Sequence, residues 1–266
     1  MSEAARLEKI LLGHLGRAVR DFDLISPGDR LLVAISGGKD SHCLLHLLRL
    51  AQRKAPFKFD LIAVNLDQGQ PGYPAKVLED FLRAQGYDFR MLKEDTFSIV
   101  KEKTEPGKTT CAVCSRLRRG ILYNAAVDLG CNKIALGHHR DDLIETLLLN
   151  MCFAGSLGAM PPILKSDDGR NTVIRPLVYA PESELAAYAE LERFPILPCN
   201  LCGSQENLQR KRMKRLVDEL QKEIPDLRSS LLAAMGNVRT SHLLDKGLNP
   251  LYERDGRDRP CLESLQ

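Results

Sequence analysis

The residues with the clearest chemical potential form a short run, Ser36-Gly-Gly-Lys-Asp-Ser41. The run follows an apolar stretch, 31–35, and precedes a helical pattern, 42–53. Glycines let the backbone approach a phosphate closely, and the first N–H groups of a helix lack internal partners. Hydroxyl donors and a lysine add hydrogen bonds and positive charge. The run predicts an anion site; a glycine turn capped by serine is the alternative. The candidate binding residues are Ser36, Gly37, Gly38, Lys39, Asp40 and Ser41.

A second polar cluster, Gly137-His-His-Arg-Asp-Asp142, also lies between a predicted strand and a predicted helix. Such a cluster belongs on the same sheet edge as the glycine run. Asp141 or Asp142 could cap the helix, but two adjacent carboxylates beside a phosphate site favour a magnesium contact. His138 and His139 lack the two-histidine helical spacing of zinc peptidases, which disfavours a zinc site.

Asp67 ends another predicted strand, Phe59 to Leu66. An acidic residue at the carboxyl end of a neighbouring parallel strand lies beside the nucleotide crevice. Asp67 could therefore meet a ribose or a magnesium ion. It could equally serve as the turn or N-cap residue that such loops need, and the sequence leaves both interpretations open.

Two Cys-x-x-Cys pairs, Cys111/Cys114 and Cys199/Cys202, are separated by 84 residues. Two such pairs are the usual ligands of structural zinc. The first pair stands at the start of a predicted helix, which would place its two sulfurs about one turn apart. It also follows the third predicted strand, which would place it at the rim of the nucleotide crevice. The arginines at 116, 118 and 119 could lower the cysteine pKa values or contact phosphate.

The basic segment Arg210–Arg215 has five basic residues in six positions, near the start of a helix with one apolar face. This pattern favours RNA binding over a merely solvated face.

Composition is ordinary for a globular chain: 266 residues, 44% hydrophobic, 27% charged and a net charge of +3. No apolar run approaches the roughly 20 residues that span a bilayer, and the N-terminus has no apolar signal core. We therefore expect a cytoplasmic protein with no membrane partner. In that reducing compartment the eight cysteines would hold metal or do redox work instead of forming disulfides.

The alternation of strand and helix patterns predicts an α/β fold with a doubly wound parallel sheet of about five strands. We expect an N-terminal helical segment (1–29), a nucleotide-binding α/β domain (30–180), a helical region with the second cysteine pair and the basic helix (181–245), and a tail (246–266).

Several segments together resemble one family. They are Ser-Gly-Gly-Lys-Asp-Ser, Val64-Asn-Leu-Asp67, Lys108-Thr-Thr-Cys-x-x-Cys-Ser-Arg-Leu-Arg-Arg-Gly120, Gly137-His-His-Arg-Asp-Asp142 and Pro198-Cys-Asn-Leu-Cys-Gly-Ser-Gln205. Their order and length, over residues 5 to 245, resemble the bacterial tRNA 2-thiocytidine synthetases (TtcA) among the PP-loop ATP pyrophosphatases.

The resemblance implies an adenine nucleotide α-hydrolase-like fold that binds ATP and Mg²⁺. It implies a [4Fe-4S] cluster on three cysteines, Cys111, Cys114 and Cys202, with Cys199 an adjacent possibility for the third. The implied reaction adenylates cytidine 32 of tRNA and replaces its C2 oxygen with sulfur. The catalytic candidates are Asp142, Asp40, Cys111 and Cys114. The nucleotide site would include Asp67 and Gly137. A cysteine desulfurase as sulfur donor and a homodimer are further expectations.

Two rival functions remain open on the sequence. A PP-loop ligase of the lysidine type uses amine nucleophiles and needs no cysteine cluster. A non-enzymatic RNA-binding protein could instead be held together by a four-cysteine zinc.

Overall fold

The structure is a computed structural model that describes residues 2–103, 111–166, 168–197, 206–245 and 247–248. The helices are α1 (Glu3–Phe22), α2 (Lys39–Lys54), α3 (Ala75–Ala84), α4 (Thr96–Lys103), α5 (Cys111–Asp128), α6 (Arg140–Leu149), α7 (Glu182–Leu191), α8 (Glu206–Glu223) and α9 (Leu227–Met235). The strands are β1 (Arg30–Ala34), β2 (Asp60–Asp67), β3 (Phe89–Lys93), β4 (Lys133–Ala135), β5 (Ile163–Lys165) and β6 (Thr172–Ile174). A π-helical turn, Asn150–Ala154, extends α6, and a 3-10 turn, Thr240–His242, follows α9.

The strands form one sheet in the order β3-β2-β1-β4-β6-β5. All neighbours pair in parallel except β5, which is antiparallel to β6. Because the strand order reverses direction beside β1, the crevice between the carboxyl ends of β1 and β4 is the switch point at which doubly wound folds bind ligands. The loops after these two strands are the two polar runs that the sequence singled out.

The expectation of about five strands was wrong by one. Five strands are parallel, as predicted, and β5 is a sixth strand that pairs antiparallel at the edge of the sheet. All three of its residues are exposed, so it lacks the buried apolar face that would reveal a strand. Gly169, with φ +71°, lies between β5 and β6.

Each face of the sheet is covered by its own apolar cluster. On one face, α1, α2 and α7 contribute buried leucines that pack with Leu31 and Val33 of β1. On the other face, α5 packs Leu122, Ala125 and Ala126 against the alternate residues of β1, β2 and β4. A strand buried on both faces reads as a continuous apolar run, which is why β1 was visible in the sequence.

At the amino ends of β1 and β4, a buried ion pair joins the strands. Lys133 Nζ lies 2.6 Å from Asp29 Oδ2 and 3.0 Å from the carbonyl oxygen of Leu24. Asn132 Nδ2 also donates to Asp29, at 2.7 Å. Burial raises the pKa of Asp29. The hydrogen bonds from Lys133, the Ser26 N–H and Asn132 outweigh this effect and bring the pKa below its usual value. This cluster fixes β1 beside β4 at the edge opposite the polar loops.

We expect Lys133→Met to destabilise the protein by about 3 kcal/mol, because it leaves the buried carboxylate of Asp29 without its cation. Urea denaturation at neutral pH measures the free energy of unfolding. The control is Lys76→Met, which removes an exposed pair with Asp80 and should change stability by less than about 1 kcal/mol. Equal losses in both variants would contradict this assignment.

Candidate functional site

The glycine loop joins β1 to α2 as the sequence predicted. Gly37 has φ +85°, a left-handed conformation that favours glycine. Gly38 is the N-cap of α2 and brings no side chain that could occupy the first turn. Ser41 Oγ donates to the Gly38 carbonyl at 2.8 Å, and Ser36 Oγ lies 3.3 Å from Ser41 Oγ. The serines therefore fix the loop, while the first turn of the helix stays open for an anion.

The segment that leads to the second cysteine pair lies directly on this loop. The Leu197 N–H donates to the Gly37 carbonyl at 2.9 Å. A Cβ added at Gly37 would lie 2.6 Å from the Leu197 side chain, closer than real contacts allow. Glycine at position 37 is thus required twice, by its backbone conformation and by its neighbour. Cys199 and Cys202 lie outside the described residues.

The loop after β4 reaches the same place from the other side. A Cβ at Gly137 would lie 3.1 Å from the backbone carbon and oxygen of Asp40, so only glycine permits this approach without displacement. Beyond it, His139 is the buried N-cap of α6. Its Nε2 lies 3.8 Å from Asp40 Oδ1 and 3.5 Å from Asp142 Oδ2. The two carboxylates that the sequence selected therefore flank one imidazole.

The two adjacent aspartates have different partners. Asp142 Oδ2 accepts the backbone N–H of His139 at 3.0 Å and so stabilises the start of its own helix. Asp141 instead accepts the Glu182 N–H at 2.8 Å and Arg228 Nε at 2.7 Å. Burial raises the pKa of Asp141, but the Glu182 N–H, the positive charge of Arg140 and the Arg228 hydrogen bond lower it below its usual value. Asp141 caps α7 and connects it to α9, whereas Asp142 is the one of the two that shares the His139 imidazole with Asp40.

Lys39 lies between two carboxylates. Its Nζ is 3.1 Å from Asp40 Oδ2 and 3.2 Å from Glu182 Oε1. Although burial lowers the pKa of Lys39, both carboxylates raise it above the usual value, so the side chain is a permanent cation. No local sequence signal reveals the contact between Lys39 and Glu182, because the two residues are 143 positions apart.

Some basic residues of helix α8 contact the site, and others are exposed to solvent. Arg210 Nη1 lies 3.5 Å from Asp142 Oδ1 and its Nε lies 3.7 Å from Glu145 Oε2. Lys214 Nζ contacts Glu182 Oε2. The other basic residues of the segment, Lys211, Arg212 and Arg215, are exposed. The segment Arg210–Arg215 therefore gives two cations to the site and presents three to solvent.

Glu145 is a site residue that the sequence analysis did not select. It lies on α6, is buried, and adjoins Asp142. Burial and the negative charge of Asp142 raise the pKa of Glu145 to about 7. Arg210 partly offsets this shift.

The first cysteine pair begins a helix, as predicted: Cys111 is the first residue of α5, and Cys114 follows within the first turn. Cys114 Sγ lies 3.2 Å from Oε1 of Gln68, which directly follows β2. The pair is thus at the carboxyl edge of the sheet. The three arginines of the same helix, Arg116, Arg118 and Arg119, are exposed.

The side chain of Asp67 stabilises the turn that follows β2. Its Oδ1 accepts the Gly69 N–H at 2.9 Å, the Asx geometry that the sequence analysis gave as one alternative. A ribose or magnesium contact through Asp67 stays a prediction.

In the described part of the chain, no set of three His, Cys, Asp or Glu side chains forms a closed metal site. None of the described helices is both long and apolar enough to cross a bilayer.

The strand, glycine loop and open helix start at a sheet switch point define a nucleotide-binding PP-loop protein, and the family model described as "PP-loop domain" matches residues 12–217. The tRNA-cytidine(32) 2-sulfurtransferase of Anaeromyxobacter dehalogenans (strain 2CP-C) is 61% identical over 265 residues, which cover 99% of this chain and 91% of the relative. The enzyme of that name from Sorangium cellulosum (strain So ce56) is 59% identical, over 91% of this chain and 86% of the relative. The chain belongs to this family of tRNA-thiolating enzymes.

Among solved structures, the U34-tRNA thiolase NcsA from Methanococcus maripaludis with its [4Fe-4S] cluster superposes with a TM-score of 0.68. Its sequence is 22% identical, and the match covers 89% of this chain and 84% of the thiolase. At this identity the likeness confirms the fold.

We expect Gly137→Ala to weaken ATP binding at least about tenfold, because the new methyl group would push the start of α2 away from β4. Equilibrium binding of ATP measures the effect. Gly16→Ala is the matched control, since a Cβ there meets nothing within 4 Å and Gly16 lies inside α1. That control should keep its affinity and gain up to about 1 kcal/mol of stability. Unchanged affinity in Gly137→Ala would contradict the proposed close approach.

Proposed function

We propose that this enzyme converts cytidine 32 of tRNA to 2-thiocytidine, with ATP activating the C2 oxygen and a [4Fe-4S] cluster holding the sulfide that replaces it. The observation that carries the proposal is the meeting of three elements at one sheet edge. The glycine loop follows β1, the segment with His139 and Asp142 follows β4, and Cys114, near the start of α5, contacts Gln68 directly after β2. The full-length similarity to named cytidine-32 sulfurtransferases supports this substrate over a lysidine-type amine chemistry.

Activation by ATP fits the residues of the crevice. The C2 oxygen attacks the α-phosphorus, an O–P bond forms, and the bond to the β-phosphate breaks to release pyrophosphate. The open first turn of α2 and the Lys39 ammonium would hold the negative charge of the departing pyrophosphate. Sulfide then forms a bond to C2, the C2–O bond breaks, and AMP leaves with the former C2 oxygen.

A magnesium ion fits near Asp40. Asp40 Oδ1 is buried and accepts no hydrogen bond from the described residues, so this oxygen has an unused lone pair. Asp40 and Asp142 would hold the ion, and Mg²⁺ prefers one or two carboxylates together with phosphate oxygens. The ion would supply neutralising charge on the triphosphate.

The cluster fits the first cysteine pair. Cys114 is partly exposed and contacts Gln68 after β2, and Cys111 is three positions earlier at the helix start. These two thiolates and one from the second pair, Cys202 by resemblance, would hold the cluster. With three protein ligands it would supply one iron with an open position for sulfur. Leu197, the described residue nearest in the chain to the second pair, lies on Gly37, which supports a ligand set beside the nucleotide. A cysteine desulfurase as donor and a homodimer remain predictions.

We expect Cys111→Ser, Cys114→Ser and Cys202→Ser to lose both iron and 2-thiocytidine formation, because each removes one thiolate of the cluster. Anaerobic purification with iron and acid-labile sulfide analysis measures the first, and nucleoside mass spectrometry of tRNA measures the second. Cys152→Ser, an exposed cysteine in the π-helical turn, is the control and should behave as wild type.

Two outcomes would change the assignment. Stoichiometric zinc without iron in the wild-type protein would support a zinc-stapled RNA-binding protein instead. Retention of iron in Cys202→Ser with loss in Cys199→Ser would move the third ligand to Cys199.

We also expect the triple variant Lys211→Gln/Arg212→Gln/Arg215→Gln to bind tRNA more weakly. In a plot of log affinity against log salt concentration, the slope should be smaller in magnitude by about one unit for each phosphate that the variant no longer neutralises. Filter binding over a range of salt concentrations measures both. The matched control, Lys54→Gln/Lys76→Gln/Arg83→Gln, removes three exposed cations from α2 and α3 and should keep tRNA affinity. Equal weakening in the two triples would indicate a non-specific charge effect.

A further inference from the structure

Glu182 has no part in the reaction as described above, yet each of its carboxylate oxygens holds a lysine. Oε1 lies 3.2 Å from Lys39 Nζ in the glycine loop, and Oε2 contacts Lys214 Nζ on the basic helix. Its two partners come from elements that are distant in the chain. Glu182 therefore links the phosphate loop to helix α8.

The backbone of Glu182 is held in place by contacts that do not involve its carboxylate. Glu182 is the first residue of α7, and its backbone N–H donates to Asp141 Oδ2 at 2.8 Å. Asp141 is itself held by Arg228 Nε at 2.7 Å. Because these contacts involve the backbone of Glu182, its position does not depend on the ion pairs of its side chain.

Lys39 needs such an anchor. A lysine ammonium is a point charge on a flexible four-carbon chain, so its position is set by its partners. Asp40, the adjacent residue, is one partner at 3.1 Å, and Glu182 is the other. The side chains of Lys39 and Glu182 are 29% and 26% exposed, so water screens this pair less than a surface pair.

Lys214 determines the net charge of a group of four side chains in contact with one another. In order of contact they are Asp40, Lys39, Glu182 and Lys214, and their charges alternate in sign and sum to zero. Without Lys214, two carboxylates would outweigh Lys39, and the net negative charge would oppose an incoming phosphate. Without Glu182, the two lysines would leave net positive charge, but Lys39 would keep a single anchor. The two deletions therefore have opposite electrostatic signs beside the same loop.

We propose that Glu182 is a positioning residue that holds the Lys39 ammonium in place for pyrophosphate release, and that Lys214 neutralises Glu182 so that the loop still attracts phosphate. The part that concerns catalysis rests on the proposed function. The part that concerns phosphate affinity does not.

The catalytic test measures tRNA-dependent pyrophosphate release by the cluster-loaded enzyme. Glu182→Gln should lower kcat about tenfold with an unchanged or lower KM for ATP, because orientation is lost while attraction is kept. Glu182→Asp should recover part of kcat. Lys214→Gln should raise KM for ATP several-fold with kcat near that of wild type. Glu190→Gln, an exposed acid on the same helix, is the control and should match wild type in both constants.

A second measurement uses inorganic pyrophosphate and needs neither tRNA nor activity. Calorimetric titration should show several-fold weaker binding by Lys214→Gln and equal or tighter binding by Glu182→Gln. If both variants weaken pyrophosphate binding alike, or neither differs from wild type, the proposal is overturned. If the two variants change pyrophosphate affinity in these opposite directions but the wild-type enzyme makes no 2-thiocytidine, the proposed function fails. The role of Glu182 in the charge of the loop then still stands. A proportional loss of kcat and thermal stability in Glu182→Gln would show a structural role only.

Discussion

The whole functional edge depends on the close approach of two backbone segments, at Gly137 and at Asp40. Parallel pairing of β1 with β4 brings both strand ends to one place, but a side chain at position 137 would press against the backbone at the start of α2. Glycine removes that obstacle. The helix starts of α2 and α6 then lie side by side, and His139 comes within 3.8 Å of Asp40 and 3.5 Å of Asp142. Every later feature of the site uses this geometry.

At this edge of the sheet, cations lie between the carboxylates or against them. Lys39 separates Asp40 from Glu182, and Arg210 lies against both Asp142 and Glu145. Cations from α8 therefore reduce the repulsion that would otherwise accumulate among the acids of α6 and α7. Because the same helix also exposes Lys211, Arg212 and Arg215, it contacts the nucleotide edge on one side and can contact a polyanion on the other. The proposed RNA contact and the charge balance of the nucleotide site thus involve the same helix.

Some features were readable because they are local. The glycine loop follows a buried apolar run and precedes a helix, and all three signals lie within adjacent residues. The start of α5 at Cys111 and the parallel order of the strands were predicted for similar reasons. Strand β5 was missed because it is three exposed residues at a sheet edge, with no apolar periodicity. Its pairing with β6 is what defines it, and pairing is not a local property.

The sequence by itself determined the strand-loop-helix units, the residue types at their ends and the family to which the chain is similar. These follow from backbone preferences and from short patterns, which act over a few residues. Only the tertiary structure decided which charges meet. It paired Lys39 with Glu182 across 143 positions and Arg210 with Asp142 across 68, and it gave the two neighbouring aspartates separate partners. The physical reason is that an ion pair depends on distance in space, and distance in space is set by how helices pack on the sheet.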